Sequence, residues 1–247
     1  GPIVWTAALC AARDEAASID TLLDGAVLGY EAMIAVGATL DAYHYAHWYT
    51  TATAGFFGSA AAASSIYGLD ALRTGWALGN AGSVAGGVWH MRHDSVMTKA
   101  MHIGHAALSA LWFTRLARQG FTGPTAILEG AQGLYAAMTR EPKPMVLGPG
   151  WRIEKVSFKL YAACRHAHAA IDCALELRAA GKLNAPFHVE TYADALTFCD
   201  KPHPTTETEA KFSLQHAVAV IADGRSATPA DFTVETIAAL APLRAQV

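Results

Sequence analysis

Basic and imidazole side chains gather within residues 156–172, Val-Ser-Phe-Lys-Leu-Tyr-Ala-Ala-Cys-Arg-His-Ala-His-Ala-Ala-Ile-Asp. The pattern predicts a strand, a short turn and the start of a helix, with Lys159, Arg165, His166 and His168 at the junction. A helix N-terminus attracts anions and disfavours cations, because its first N–H groups are free and its dipole is positive there. A cluster of cations at this end is therefore unfavourable by itself, and an acidic ligand that binds there would explain it.

Three further segments place basic or hydroxyl side chains inside apolar sequence. Lys99 and His102 are three residues apart, so a helix would put them on one face. The segment 209–216 ends on His216, and residues 41–53 are rich in aromatic residues and histidine. Taken singly, each of these segments is a weak signal for a functional site.

Each candidate also has an interpretation without function. A lone lysine at a helix start is usually a solvated charge, and His216 fits a core histidine bonded to the backbone. His166 and His168 point in different directions on a helix, so at least one is expected to be structural. His44 and His47 are three residues apart, but no acidic residue completes a metal-binding pattern, and we predict no metal site.

The composition describes a chain with a large core and few charges. Its 247 residues are 53% hydrophobic and 16% charged, and the net charge of −3 provides no basic field for nucleic acid. The four cysteines form no CxxC pair, no signal peptide is visible, and we expect a reducing compartment: the cytoplasm, or mitochondria in a eukaryotic host. Thr53–Leu69 is short and built from small residues, so we predict a buried helix and no membrane span.

The elements that must position these residues differ between the two halves of the chain. Residues 1–148 are predicted to form an all-helical bundle, and residues 149–247 a smaller α/β domain. The predicted helices are Ile19–Ala35, Phe57–Ile66, Ala71–Ala85, His102–Gln119, Pro124–Met138, 165–180 and 206–222, and the predicted strands are Ile153–Phe158 and His188–Leu196. The small-residue faces Gly55–Ala63 and Gly79–Gly87 would permit close packing or a homodimer seam.

Taken together, the segments resemble the MmgE/PrpD family. Gly29-Tyr-Glu31 is similar to the family's G-Y-E helix, and residues 51–61 to its H-P-T-x-x-x-G-x-F-G-A-A segment. Thr98-Lys-Ala-Met-His-Ile-Gly-His-Ala-Ala107 is similar to T-K-x-L-H-x-G-x-A-A. Val156-Ser-Phe-Lys-Leu-Tyr161 and Glu209-Ala-Lys-Phe-Ser213 follow in the family's order, so the resemblance spans essentially the whole chain.

The resemblance implies a helical domain, a smaller α/β domain and an active site in the cleft between them. It also implies a homodimer and a lyase or isomerase of small di- and tricarboxylates that uses neither a metal nor an organic cofactor. Dehydration is the simplest such reaction, and decarboxylation or epimerisation are the alternatives. Lys99 and Lys159 take the places of the family's active-site lysines, and His216 stands where a tyrosine or another polar residue is common.

The expected roles divide into proton transfer and carboxylate binding. Lys99, His102, His216 and Tyr49 are the catalytic candidates, and Lys159, Arg165, His166, His47 and Thr51 are the substrate-binding candidates. Neighbouring cations should lower the pKa of His102 and His166, because a like charge disfavours the protonated imidazole.

Two departures from the family pattern leave a second hypothesis open. The family's acidic H-x-x-D-x-D-D segment lies upstream of the part that this chain matches, and Tyr49-Thr-Thr51 stands in place of H-P-T. The chain is then either a fragment of a longer polypeptide or a shortened, diverged homologue. In the second hypothesis it is a non-catalytic member that binds an anion or a partner subunit.

Overall fold

Alanine-rich runs that favour helices recur along the sequence, and the computed structural model, which describes residues 1–94 and 96–247, is mainly helical. The chain divides into two compact units, unit 1 (Gly1–Val156) and unit 2 (Ser157–Val247). The helices of unit 1 are α1 (Pro2–Asp14), α2 (Ile19–Thr39), α3 (Ala42–His47), α4 (Thr50–Ile66), α5 (Ala71–Ser83), α6 (Thr98–Arg118) and α7 (Leu134–Met138), with short 3₁₀ helices at Trp89–His93 and Arg152–Lys155. The helices of unit 2 are α8 (His168–Ala179), α9 (Ala193–Cys199), α10 (Glu207–Lys211), α11 (Leu214–Ala222), α12 (Val234–Ala239) and α13 (Ala241–Arg244), with 3₁₀ helices at Arg165–Ala167 and Pro229–Phe232.

Helix α4 is the centre of unit 1, and most of its residues are buried, as expected for a helix that is apolar on all sides. It crosses α2 at two glycines, where a Cβ on either Gly29 or Gly58 would lie 2.8 Å from the backbone oxygen of the other. Gly55 and Gly82 likewise lie against Ile3 and Phe57. These small residues therefore serve close packing within unit 1, and the homodimer stays a prediction.

Helix α1 was not predicted from the sequence, yet it supplies part of the core. Pro2 lies in its first turn, where the missing N–H costs no helical hydrogen bond, and Ile3 and Val4 are fully buried. Helix α2 is long and apolar enough to cross a membrane by length and composition alone. Core helices of soluble proteins meet the same criterion, and here α2 packs on α4.

Unit 2 is built from shorter helices whose ends are fixed by side chains. The predicted helix 206–222 is interrupted, because the Ser213 hydroxyl accepts the backbone N–H of His216 and starts α11 anew. Thr206 and Glu209 form a capping box at the start of α10. Because Ser213 is the N-cap of a new helix, the one predicted helix becomes two.

The smaller α/β domain is not confirmed, since unit 2, all of which is described, contains helices and irregular segments and no strand. In place of the predicted strand Ile153–Phe158, residues 152–155 form a 3₁₀ helix. The Glu31 carboxylate holds it by accepting the backbone N–H and the Nε–H of Arg152, both at 2.9 Å. The predicted strand His188–Leu196 gives way to α9, which begins after Tyr192.

Candidate active site

The first group of candidate residues is assembled where the start of α4 meets the loop before α6. Trp48 forms an isolated antiparallel bridge with Val88, and the backbone N–H of Tyr49 donates to the Gly87 oxygen at 2.7 Å. The ring of Tyr49 then lies 4.8 Å from that of Trp89, centroid to centroid. The aromatic segment and the loop thus form one wall.

Lys99 lies in the first turn of α6 and faces this wall. Its Nζ is 5.2 Å from the centroid of the Tyr49 ring and 5.7 Å from that of Trp89. Cation–π contacts of this kind attract an ammonium group to the faces of aromatic rings. The structure therefore brings together Lys99 and Tyr49, two of the candidate catalytic residues.

The Tyr49 hydroxyl is a proton donor rather than a base. Burial raises its pKa, and a hydrogen bond with the Thr51 side chain acts in the opposite direction with less effect. A phenol with a raised pKa stays protonated at neutral pH, so Tyr49 can donate a hydrogen bond to a carboxylate. Thr51, a substrate-binding candidate in the first turn of α4, is thereby placed beside Tyr49.

His102 lies one turn after Lys99 and carries a buried ring nitrogen, Nδ1, that has no hydrogen-bond partner within the described residues. Gly87, at φ +112°, allows the close approach of this ring, since a Cβ there would lie 3.1 Å from Nδ1. Burial lowers the pKa of His102, and the neighbouring His105 lowers it further. The sequence correctly predicted a lowered pKa for His102. It attributed the effect to the charge of Lys99, whereas the causes in the structure are burial and His105.

A cavity of about 330 Å³ opens beside His102. None of its lining residues is acidic, and two are imidazoles: the lining is formed by Phe56, Val84, Gly86, Gly87, Met101, His102 and His105. A neutral imidazole with an unused nitrogen can accept a proton or a hydrogen bond. The arrangement suits an anionic ligand with an apolar part.

The two histidines of α3 have other partners. His44 is fully buried, its ring nitrogens lie 3.2 Å from Thr53 Oγ1 and 3.4 Å from Thr50 Oγ1, and burial lowers its pKa. His47 is exposed, and its Nδ1–H donates to the backbone oxygen of Tyr43 at 2.8 Å. The predicted role of His47 in substrate binding therefore gains no geometric support from these contacts.

A second group of basic residues lies in unit 2, where the predicted junction is a loop followed by a 3₁₀ turn and α8. Lys159 Nζ donates to the Ala163 oxygen at 3.3 Å, and Arg165 Nη1 lies 3.3 Å from Nδ1 of His168. The structure thus groups Lys159 and Arg165 around His168, a residue that the sequence left without a role. The only sequence feature that could have indicated a role for His168 is its position three residues after Arg165.

His166 and His216 lie apart from this group. His166 Nδ1 is 2.8 Å from the Tyr192 hydroxyl, and its ring stacks on Phe198. His216 is fully buried, and its Nε2–H donates to the backbone oxygen of Asp231 at 2.9 Å. Its pKa is lowered chiefly by burial. Its placement matches the alternative of a core histidine bonded to the backbone.

Among residues 1–94 and 96–247, no three His, Cys, Asp or Glu side chains are grouped closely enough to hold a metal ion. The chemistry that these residues themselves can supply is carboxylate binding by lysine and arginine, hydrogen bonding by Tyr49, and proton transfer at His102.

Two parts of the chain match the domains of one protein family. Residues 1–146 match the MmgE/PrpD N-terminal domain, and residues 161–244 match the MmgE/PrpD C-terminal domain. The chain belongs to the MmgE/PrpD family. This membership confirms the resemblance drawn from the sequence motifs.

Two mammalian members of the family are similar to this chain. Cis-aconitate decarboxylase of Homo sapiens is 29% identical over 188 residues, which cover 71% of this chain and 39% of the relative. The enzyme of Mus musculus is 31% identical over 189 residues, covering 71% and 38%. A cis-aconitate decarboxylase-like protein of Aspergillus oryzae is 25% identical over 193 residues. The chain thus spans about two fifths of the length of these MmgE/PrpD relatives.

Proposed function

We propose that this MmgE/PrpD chain acts as a lyase, or as part of one, on a small tricarboxylate, using its own side chains rather than a cofactor. The observation that carries the proposal is the cavity beside His102, whose lining includes two imidazoles and no acidic residue. The similarity to proteins named cis-aconitate decarboxylase supports a tricarboxylate as the substrate class.

The division of labour follows from the chemistry of each side chain. Lys99, held over Tyr49 and Trp89, would bind one carboxylate by a charge-assisted hydrogen bond. Neutral His102 would take up or return the proton that moves during the reaction. Within unit 2, Lys159 and Arg165 are two cations that would bind carboxylates.

Decarboxylation and dehydration make different uses of the same groups. Decarboxylation of an unsaturated tricarboxylate releases CO₂, and the carbanion left on carbon takes a proton from the acid form of the proton carrier. Dehydration removes a proton from carbon and expels hydroxide, which leaves as water after protonation. The names of the relatives favour decarboxylation as the first reaction to test, and dehydration stays the second.

A non-catalytic, anion-binding role is the second candidate function, and the α3 segment favours it. His44 is hydrogen-bonded to Thr50 and Thr53, and His47 is hydrogen-bonded to the backbone oxygen of Tyr43. The hydroxyl of Tyr49, where the family has the histidine of H-P-T, is protonated at neutral pH. A site with fewer available bases would still bind a tricarboxylate.

The test is to incubate the purified chain with cis-aconitate or 2-methylcitrate and to follow substrate and product by proton NMR, with CO₂ release measured in parallel. We expect Lys99→Met to weaken binding about tenfold, as is typical for loss of a charged hydrogen bond. Lys143→Met, which removes an exposed lysine of unit 1, is the matched control.

The outcomes separate the two candidates. Turnover that is lost in Lys99→Met and kept in Lys143→Met supports the lyase. Binding without turnover supports the anion-binding role. If neither compound binds, or if both lysine variants behave alike, the assignment of Lys99 to this site is rejected.

A further inference from the structure

His168 is a buried imidazole that the proposed reaction does not use directly. It is the first residue of α8, only 2% of its surface is exposed, and the ring of Tyr161 meets its edge at 5.0 Å between centroids. Both ring nitrogens have partners: Nδ1 lies 3.3 Å from Arg165 Nη1, and Nε2 lies 3.4 Å from the Ala163 oxygen.

These two partners fix the protonation state of the ring. A guanidinium group can only donate, so Nδ1 of His168 must accept from Arg165. The single proton of the neutral imidazole is then on Nε2, where it is donated to the Ala163 oxygen. Burial lowers the pKa of His168, which favours this neutral form.

The Ala163 oxygen links the second cation to the same ring. It also accepts a hydrogen bond from Lys159 Nζ at 3.3 Å, and a carbonyl oxygen has two lone pairs to offer. Two like charges, Lys159 and Arg165, are thus held near one another through a single carbonyl and a single imidazole. The nearby acidic group, Asp172, is engaged by the Tyr161 hydroxyl.

We propose that His168 is a positioning residue, which orients Arg165 and, through the Ala163 oxygen, Lys159 for the carboxylates of the ligand. The inference rests on the proposed function, because it assigns these cations to a polycarboxylate. A histidine that served the fold alone would need only its backbone bond to Ala163. The second bond goes instead to the guanidinium of Arg165, an exposed residue.

The first experiment measures citrate affinity by calorimetry at pH 7 with the full chain. His168→Leu removes both hydrogen bonds and should raise the dissociation constant about tenfold. His168→Gln keeps an acceptor for Arg165 and a donor for Ala163, and should restore affinity to within about threefold of wild type. His203→Gln, at an exposed histidine of unit 2, is the control. Equal affinity of wild type and His168→Leu would overturn the proposal.

A second measurement needs no ligand and decides the network even if His168→Leu fails to fold. NMR titration of the His168 ring in wild type, Lys159→Met and Arg165→Met should show a higher pKa in both variants, because each removes a cation that disfavours protonation. Lys182→Met, at an exposed lysine of unit 2, should leave the pKa unchanged. An unchanged His168 pKa in both Met variants overturns the network. Absence of citrate binding in wild type, with the shifts present, rejects the proposed function and the positioning role while leaving the network itself established.

Discussion

The two units differ in the contacts that stabilise their interiors. Unit 1 packs long helices against one another through glycine and alanine, and its central helix α4 is buried along most of its length. Unit 2 joins short helices through buried polar groups. His216 bonds to the Asp231 oxygen, and the buried Arg244 donates to the oxygens of Pro202 and Ile237.

This contrast separates the crossing of α2 and α4 in unit 1, which depends on shape, from the buried polar contacts of unit 2, which also depend on charge. A backbone crossing at glycine tolerates no added methyl group, but it is insensitive to pH. A buried imidazole or guanidinium tolerates little change in protonation or polarity. The same contrast holds at the two basic groups, where Lys99 rests on aromatic rings and Lys159 on a carbonyl oxygen.

The largest effect is expected in unit 1 from Gly58→Ala. The new Cβ would lie 2.6 Å from the Cβ of Met33 and 2.8 Å from the Gly29 oxygen, so α2 and α4 must separate. Overpacking of this kind costs about 1–3 kcal/mol. Chemical denaturation should show the loss, and the effect should not change between pH 5 and pH 8.

Gly104→Ala is the matched control for this prediction. A Cβ at Gly104 meets no atom within 4 Å, and the residue lies inside α6. Alanine favours a helix over glycine by up to about 1 kcal/mol, so this variant should be as stable as wild type or more stable. Equal destabilisation by the two variants would mean that the crossing at Gly29 and Gly58 is not the tight contact described.

A smaller, pH-dependent effect is expected in unit 2 at His216. Because its pKa in the folded chain is below the unfolded value of about 6.5, the unfolded chain binds the extra proton first as the pH falls. Stability should therefore be unaffected above about pH 6.5 and decline below it, by at most about 1.4 kcal/mol per pH unit from this group. His216→Gln should flatten the decline, as measured by denaturation at pH 7 and pH 5. A decline of the same slope in both proteins would show that His216 is not its source.

Sequence patterns predicted α2 and α5 of unit 1 closely, because their periodicity is long and their N-caps are recognisable, whereas the predicted helix Pro124–Met138 is α-helical only over Leu134–Met138. The prediction for residues 71–85 matches α5, and Asp70 caps its first turn as expected. The two predicted strands were wrong because alternation of apolar and polar residues does not by itself provide a partner strand. At Arg152 the carboxylate of Glu31, more than one hundred residues away, decides the local conformation.

The candidate site was predictable where chemistry follows the helical repeat and unpredictable where it depends on distant contacts. Spacing alone placed Lys99 and His102 on one face of α6. The proximity of Tyr49 to Lys99 depends on the bridge between Trp48 and Val88, which no local sequence pattern predicts. The role of His168 depends on a backbone oxygen, which the sequence does not display.

The most direct test of the central claim, that neutral His102 shares an anion site with Lys99, is the number of protons taken up when cis-aconitate binds. Calorimetry between pH 6 and pH 7 in buffers of different ionisation enthalpy measures this number for wild type and His102→Gln, so that protons from the ligand itself cancel in the difference. A bound anion favours the protonated imidazole and raises the lowered pKa of His102, so wild type should take up more protons than the variant. Equal uptake by the two proteins would contradict the claim and leave Lys99 as the only supported ligand of this site.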